Sequence, residues 1–231
     1  MALQPYILLI ESATDICSVA LIRGNELISE AVSKKKYAHE SRIIILIEQC
    51  LLTAKIDALS LDCIAVSIGP GSYTGLRIGL STAKGLCFGL NIPLICINTL
   101  SIIAVEPIHK YEQRYKVYMP MIDARRDEVY ASLIDPLGNV IQDDQPFIIN
   151  KESVAQLEQE FESICFCGTG CFKVSPFTNV STIHSNFPIA SQMGLLALKK
   201  WKEKNFTNIF SASPSYLKKP NITTAKTRIT H

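Results

Sequence analysis

The chain has 231 residues, 48% of them hydrophobic, and a formal net charge of +2. That supplies ample core material for one large domain or two small ones. Its apolar runs, such as Ile43–Ile47, are too short to cross a bilayer, and MALQPYILLIESATD has neither a basic leader nor a long apolar stretch. Near-balanced charge argues against a nucleic-acid footprint over the whole surface, so the expectation is a cytoplasmic chain without membrane contact.

In chain order, YILLI (6–10), CSVALIR (17–23) and ELISEAV (26–32) read as three strands, joined by a polar turn and by Gly24-Asn25. A helix follows at 40–54, then a buried strand DCIAVSI (62–68), a helix at 73–90, a strand PLICIN (93–98) and a short helix at 99–106. The second half begins KVYMPMIDARRDEVYASLID. Shifted by 112 residues onto the start, it sets Ile122 on Ile10, Asp123 on Glu11, Asp127 on Asp15, Leu133 on Leu21 and Ile134 on Ile22. A strand at 145–149, a helix at 151–161, a strand at 162–168 and a helix at 189–204 complete it. The pattern predicts an α/β protein of two duplicated β-β-β-α-β-α lobes, 1–107 and 108–231. The last twenty residues read as a polar arm or loose tail.

Eight cysteines lie mostly inside apolar runs and read as small buried hydrophobes, with no second Cys/His pair at zinc-site spacing. The stretch GPGSYTGLRIG (69–79) follows a strand and opens a helix, where free backbone N–H groups favour an anion. It meets neither standard nucleotide pattern. Gly75 is followed by Leu76-Arg77 rather than Lys and a hydroxyl, and Thr74 stands where the dinucleotide motif needs glycine. The alternative is a tight strand-to-helix turn.

The helix after it carries two stripes of small residues, Gly75–Gly79–Ala83 and Ser81–Gly85–Gly89. An interior glycine costs ~1 kcal/mol against alanine, so close approach to a neighbour is expected. On the 40–54 helix, Ile43, Leu46, Ile47, Cys50, Leu51 and Ala54 share a core face, while Ile45 and Leu52 point the opposite way. Ile45, Leu52, Gly75, Gly79 and Ala83 are therefore the candidate helix-on-helix partner interface.

ILLIESATDICSVALI, AVSIGPGSYTGLRIGLSTAKGL, MIDARRDEVYASL and SPSYLKKP together resemble the TsaB (YeaZ) family. The resemblance implies the two-lobed actin/Hsp70/sugar-kinase-like fold. It also implies a non-catalytic role in forming threonylcarbamoyladenosine on tRNAs that read codons beginning with adenine. The implied partners are a TsaD-like transferase, a TsaE-like ATPase within the complex and a second copy of the chain, with tRNA touched indirectly. Catalytic relatives hold a metal with an H-x-x-x-H pair; here His39 is followed four residues on by Ile43, so no metal or catalytic residue is expected. Glu11-Ser12-Ala13 also departs from the family's usual D-T-[ST] start.

Two competing readings stay open. An ATP-binding sugar-kinase-like enzyme would use Glu11, Asp15, Asp123 and Asp127 around a cleft, with Gly168 and Gly170 at an adenosine; weak ATP or ADP binding there is the one cofactor expectation. The plainer account makes these acids turn caps. A metalloprotease would need a second spaced ligand.

Overall fold

The computed structural model describes residues 4–33, 39–112, 114–178 and 181–218, without the side chains of 39–41. The lysines at 34–36, the His39 side chain and the end of SPSYLKKP lie outside the described residues.

Strands β1 (Tyr6–Glu11), β2 (Cys17–Arg23), β3 (Glu26–Ser33), β4 (Cys63–Ser67) and β5 (Leu94–Ile97) form one sheet in the order β3-β2-β1-β4-β5. β1, β4 and β5 run parallel; β2 pairs antiparallel with β1, and β3 antiparallel with β2. Strands β6 (Val117–Asp123), β7 (Glu128–Ile134), β8 (Val140–Ile148), β9 (Ile164–Gly168) and β10 (Thr182–His184) repeat that order as β8-β7-β6-β9-β10. The duplication predicted from the sequence is thus present strand for strand.

The described residues also form five α-helices: α1 (His39–Ala54), α2 (Tyr73–Leu90), α3 (Thr99–Lys110), α4 (Lys151–Glu160) and α5 (Gly194–Lys202). α1 and α4 occupy equivalent places, but the counterpart of α2 is a single 3-10 turn, Cys171–Lys173. β8 extends five residues before the expected 145 start. The expected 189–204 helix splits at Gly194 into a 3-10 turn (Ala190–Met193) and α5.

Alternation along the buried β1 sets the layers. Leu8 and Ile10 pack with Ile43 and Ile47 of α1 and Leu80 and Ala83 of α2; Ile7 and Leu9 pack on the opposite face with Ala197 and Leu198 of α5. α3 lies between the sheets. Its Ile102 joins the first sheet's inner core, while Leu100 and Ile103 meet Ile122 and Cys167 of the second. The division at 107–108 falls inside this helix, and α5 returns to the first sheet.

α3 runs past its expected end despite Pro107. A proline there removes the N–H that would bond the carbonyl four residues back. Asn186 substitutes: its Nδ2 donates to the Ile103 carbonyl at 2.9 Å, while its Oδ1 accepts from the Gly168 N–H at 2.8 Å. One buried amide satisfies a broken helix turn and a strand end together.

Candidate functional site

The Gly-rich loop after β4 is filled by the chain's own β1–β2 turn. Ser72 caps α2, its Oγ accepting from the Gly75 N–H at 3.2 Å, while its own N–H donates to the Ala13 carbonyl at 2.6 Å. Ser12 Oγ donates to the Gly75 carbonyl at 2.9 Å. A methyl group on Gly71 would stand 2.4 Å from the Ala13 oxygen, and one on Gly75 2.1 Å from the Ser12 carbonyl oxygen. One on Gly79 would stand 2.1 Å from Ser12 Oγ. The Gly69 N–H donates to Thr99 Oγ1 at 3.1 Å. Ser12 and Ala13 therefore pack directly against the Gly-rich loop and the first turns of α2.

This corrects one expectation. Gly75, Gly79 and Ala83 are buried against the first lobe's own sheet and β1–β2 turn, so they are packing residues and not a partner surface. Ser12 was missed because nothing in the sequence says which segment a small-residue stripe admits.

The expected cleft residues differ in burial and partners, and Gly170 lies against the Asp123 backbone. Glu11 is fully buried rather than lining an open cleft. Its Oε1 accepts from the Ala13 N–H at 2.6 Å, and Oε2 is buried without a hydrogen-bond partner among the described residues. Burial pushes this carboxyl up to about 7, outweighing the Ala13 amide, Ser67 and the Ser12 amide, which favour the charged form. Asp15 and Asp127 are exposed turn residues. Asp123 Oδ1 accepts from the Arg125 N–H at 2.8 Å and pairs with Lys173 Nζ at 2.5 Å, which makes it a turn cap with a salt bridge.

The backbone amides of Gly168 and Gly170 are both engaged within the protein. The Gly168 N–H is held by Asn186, and the Gly170 N–H donates to the Met121 carbonyl at 3.1 Å. Gly168 has φ +92°, and a methyl group there would stand 2.3 Å from the Met121 oxygen. Close approach to β6 explains both glycines.

The outer side of α1 and α2 has the opposite character. Ile45 and Leu52 are 48% and 77% exposed, as the helical period predicted, and Phe88 on α2 is 70% exposed. Ser81, Gly85 and Gly89 lie on the exposed side of α2, and a methyl group on either glycine would meet nothing within 4 Å. The two glycine stripes of one helix thus face different ways.

The segment after α5 docks against this lobe, and with it residues 212–218, the described part of the expected arm. Thr207 bridges to Leu94, Lys84 Nζ donates to the Ala212 carbonyl at 3.1 Å, and the Ser215 N–H donates to the Ile68 carbonyl at 2.7 Å. Phe210 meets Phe88 edge-on, ring centres 6.5 Å apart. Tyr216 stacks on Tyr73 at 4.6 Å, and the Arg77 guanidinium lies 3.9 Å over Tyr73 while donating to the Tyr216 hydroxyl at 2.9 Å. Lys218 reaches across to pair with Glu128 on β7.

Among the described residues no three His, Cys, Asp or Glu side chains gather to hold a metal ion, and Ile43, four residues after His39, is buried in the core. All eight cysteines are buried free thiols, and burial raises every one, Cys17 to about 12, so none supplies a thiolate at neutral pH. No helix among the described residues is long and apolar enough to cross a membrane.

Two sheets of one topology with shared helices between them define the two-lobed actin-like ATPase and sugar-kinase class. A 2-hydroxyisocaproyl-CoA dehydratase activator from Clostridium difficile shares this fold at TM-score 0.53 and 8% identity, over 87% of this chain and 97% of its own. A family model described as TsaD, tRNA N6-adenosine threonylcarbamoyltransferase, matches residues 26–160, more than half of the chain. The TsaB protein of Haemophilus influenzae, a tRNA threonylcarbamoyladenosine biosynthesis protein, is 28% identical over 92% of this chain and 93% of its own length. The Buchnera aphidicola TsaB is 38% identical over a shorter stretch, 54% of this chain and 55% of that protein. YeaZ from Pseudomonas aeruginosa superposes with TM-score 0.78 at 26% identity, over 92% of this chain and all of that one. The chain belongs to the TsaB (YeaZ) family.

Proposed function

We propose that this chain acts in forming threonylcarbamoyladenosine on tRNA as a non-catalytic partner that binds and activates a TsaD-like transferase. The observation that carries the reading is the outer side of α1 and α2, where Ile45, Leu52 and Phe88 stand exposed on helices that also bear Gly85 and Gly89. Large exposed apolar side chains beside small residues suit a helix-on-helix interface. The same side would serve a two-fold pair of this chain, so self-pairing would compete with the transferase. A TsaE-like ATPase joins the complex through the transferase in this reading.

Three features support the absence of catalysis here. Ser12 and Ala13 pack directly against the Gly-rich loop, the amides of Gly168 and Gly170 are engaged, and Asp123 is paired with Lys173. The test is capture. Ile45→Glu would bury a charge in a desolvated contact, at a cost of several kcal/mol. It is expected to be monomeric by sedimentation, to melt as the parent does, and to fail to retain the TsaD-like protein in a pull-down. Retention at parental levels would overturn the reading.

A further inference from the structure

The near-zero net charge conceals an asymmetry. No acidic residue follows Glu203, and residues 204–231 hold five lysines and arginines, so the last 28 residues carry +5 and the preceding 203 carry −3. Within it, Lys218 is paired with Glu128, at the turn between β6 and β7.

That turn contains two further cations. Arg125 and Arg126 are both exposed, and neither guanidinium makes a hydrogen bond or an ion pair among the described residues. The acids around them are mostly engaged by lysines: Asp123 and the Glu128 carbonyl by Lys173, and the Glu128 carboxylate by Lys218. Asp127 is the exposed acid of the turn. The turn is rigid, because the Glu128 N–H donates to the Arg125 carbonyl and the Ala124 N–H to the Glu128 carbonyl, at 3.2 and 3.1 Å. Both arginines hold left-handed backbone, with φ +71° and +50°, where glycine is the strain-free residue.

We propose that the β6–β7 turn, through Arg125 and Arg126, and the adjoining Lys218 form a contact site for the phosphate backbone of RNA. Exposed guanidiniums on a hydrogen-bonded turn, with Lys218 beside them, are the electrostatic footprint of a polyanion partner. The choice of RNA over another polyanion rests on the tRNA-modification reading above. Arg125 and Arg126 belong to the second lobe and Ile45, Leu52 and Phe88 to the first, so the transferase and RNA would be held by different residues.

The experiment is fluorescence anisotropy of a fluorescein-labelled tRNA transcript with the full chain, between about 50 and about 200 mM salt. The comparison variant is Arg125→Gly with Arg126→Gly, which removes both charges and suits the left-handed backbone; a melting curve at or above the parental one verifies its fold. The expected result is affinity at least roughly tenfold weaker and a log–log salt slope shallower by about 0.7–0.9 for each arginine removed. Lys218→Ala should weaken binding in the same direction. Three results would each overturn the proposal: no binding by the parent chain, unchanged affinity and slope in the glycine variant, or complete displacement of the transcript by millimolar ATP. Tighter binding to phosphatidylserine vesicles than to the transcript would overturn the assignment to RNA. Pull-down of the TsaD-like protein by the same samples separates the two readings. The glycine variant should retain it, and its absence with the parent chain would sink the partner reading while leaving the RNA result standing.

Discussion

Ser12 and Gly75 are locked together: the Ser12 hydroxyl donates to the Gly75 carbonyl at 2.9 Å, and a methyl group on Gly75 would lie 2.1 Å from the Ser12 carbonyl oxygen. This contact is a packing joint, and it separates the consequences of substitution along one helix.

Gly79→Ala and Gly75→Ala should both destabilise the first lobe, but only the former should be repairable. The Gly79 methyl would strike Ser12 Oγ, whereas the Ser12 Cβ stands at 3.3 Å, a tight contact that a shift of a few tenths of an ångström relieves. Ser12→Ala should therefore recover much of the stability lost in Gly79→Ala. The Gly75 methyl strikes backbone, and strain of this kind costs typically 1–3 kcal/mol. Urea unfolding of the two single and two double variants checks this; equal rescue of both glycine variants would contradict the geometry.

Gly85→Ala should act the other way. Nothing stands within 4 Å of the added methyl, so the helix gains about 0.5–1 kcal/mol from lost chain freedom in the unfolded state. Gly85→Leu should still fold, yet it should block capture of the TsaD-like protein in a pull-down, because the proposed interface needs a small residue there.

Glu11 makes stability depend on pH. Its carboxyl is raised from 4.5 to about 7 in the folded chain, so folding favours the protonated form. The stability it permits is complete below about 4.5, falls as pH rises through about 7, and is flat above that. The span corresponds to roughly 3 kcal/mol. Glu11→Gln keeps an acceptor for the Ala13 amide and cannot ionise. Urea midpoints measured from pH 5 to pH 8 should stay nearly level for Glu11→Gln while the parent declines; parallel curves would refute the assignment.

Asn186→Ala should be among the costliest single polar truncations. It orphans both the Ile103 carbonyl beside Pro107 and the Gly168 N–H. Each unsatisfied buried group costs about 1–3 kcal/mol, so a loss of roughly 2–5 kcal/mol is expected in thermal or urea unfolding. Pro107→Ala in the same background should return part of it, since the helix then bonds Ile103 itself.

Local pattern alone determined much of this protein. Strand alternation and helical period were sufficient to locate nine of the ten strands and to place Ile45 and Leu52 on the wet side of α1, because both signals repeat within a few residues. The 112-residue repeat disclosed the duplicated lobes for the same reason. The three-residue β10 offered too little period to be seen, and Pro107 suggested an earlier end to α3 because its repair comes from Asn186, 79 residues away in sequence. The two glycine stripes of α2 looked alike in sequence. Only the tertiary structure decided that Gly75, Gly79 and Ala83 receive the β1–β2 turn while Gly85 and Gly89 face outward, since a missing side chain records that something comes close without recording what. Glu11 likewise reads as an acid at a strand end; its burial, and hence its proton, follows from long-range packing around the end of β1 that no local window contains.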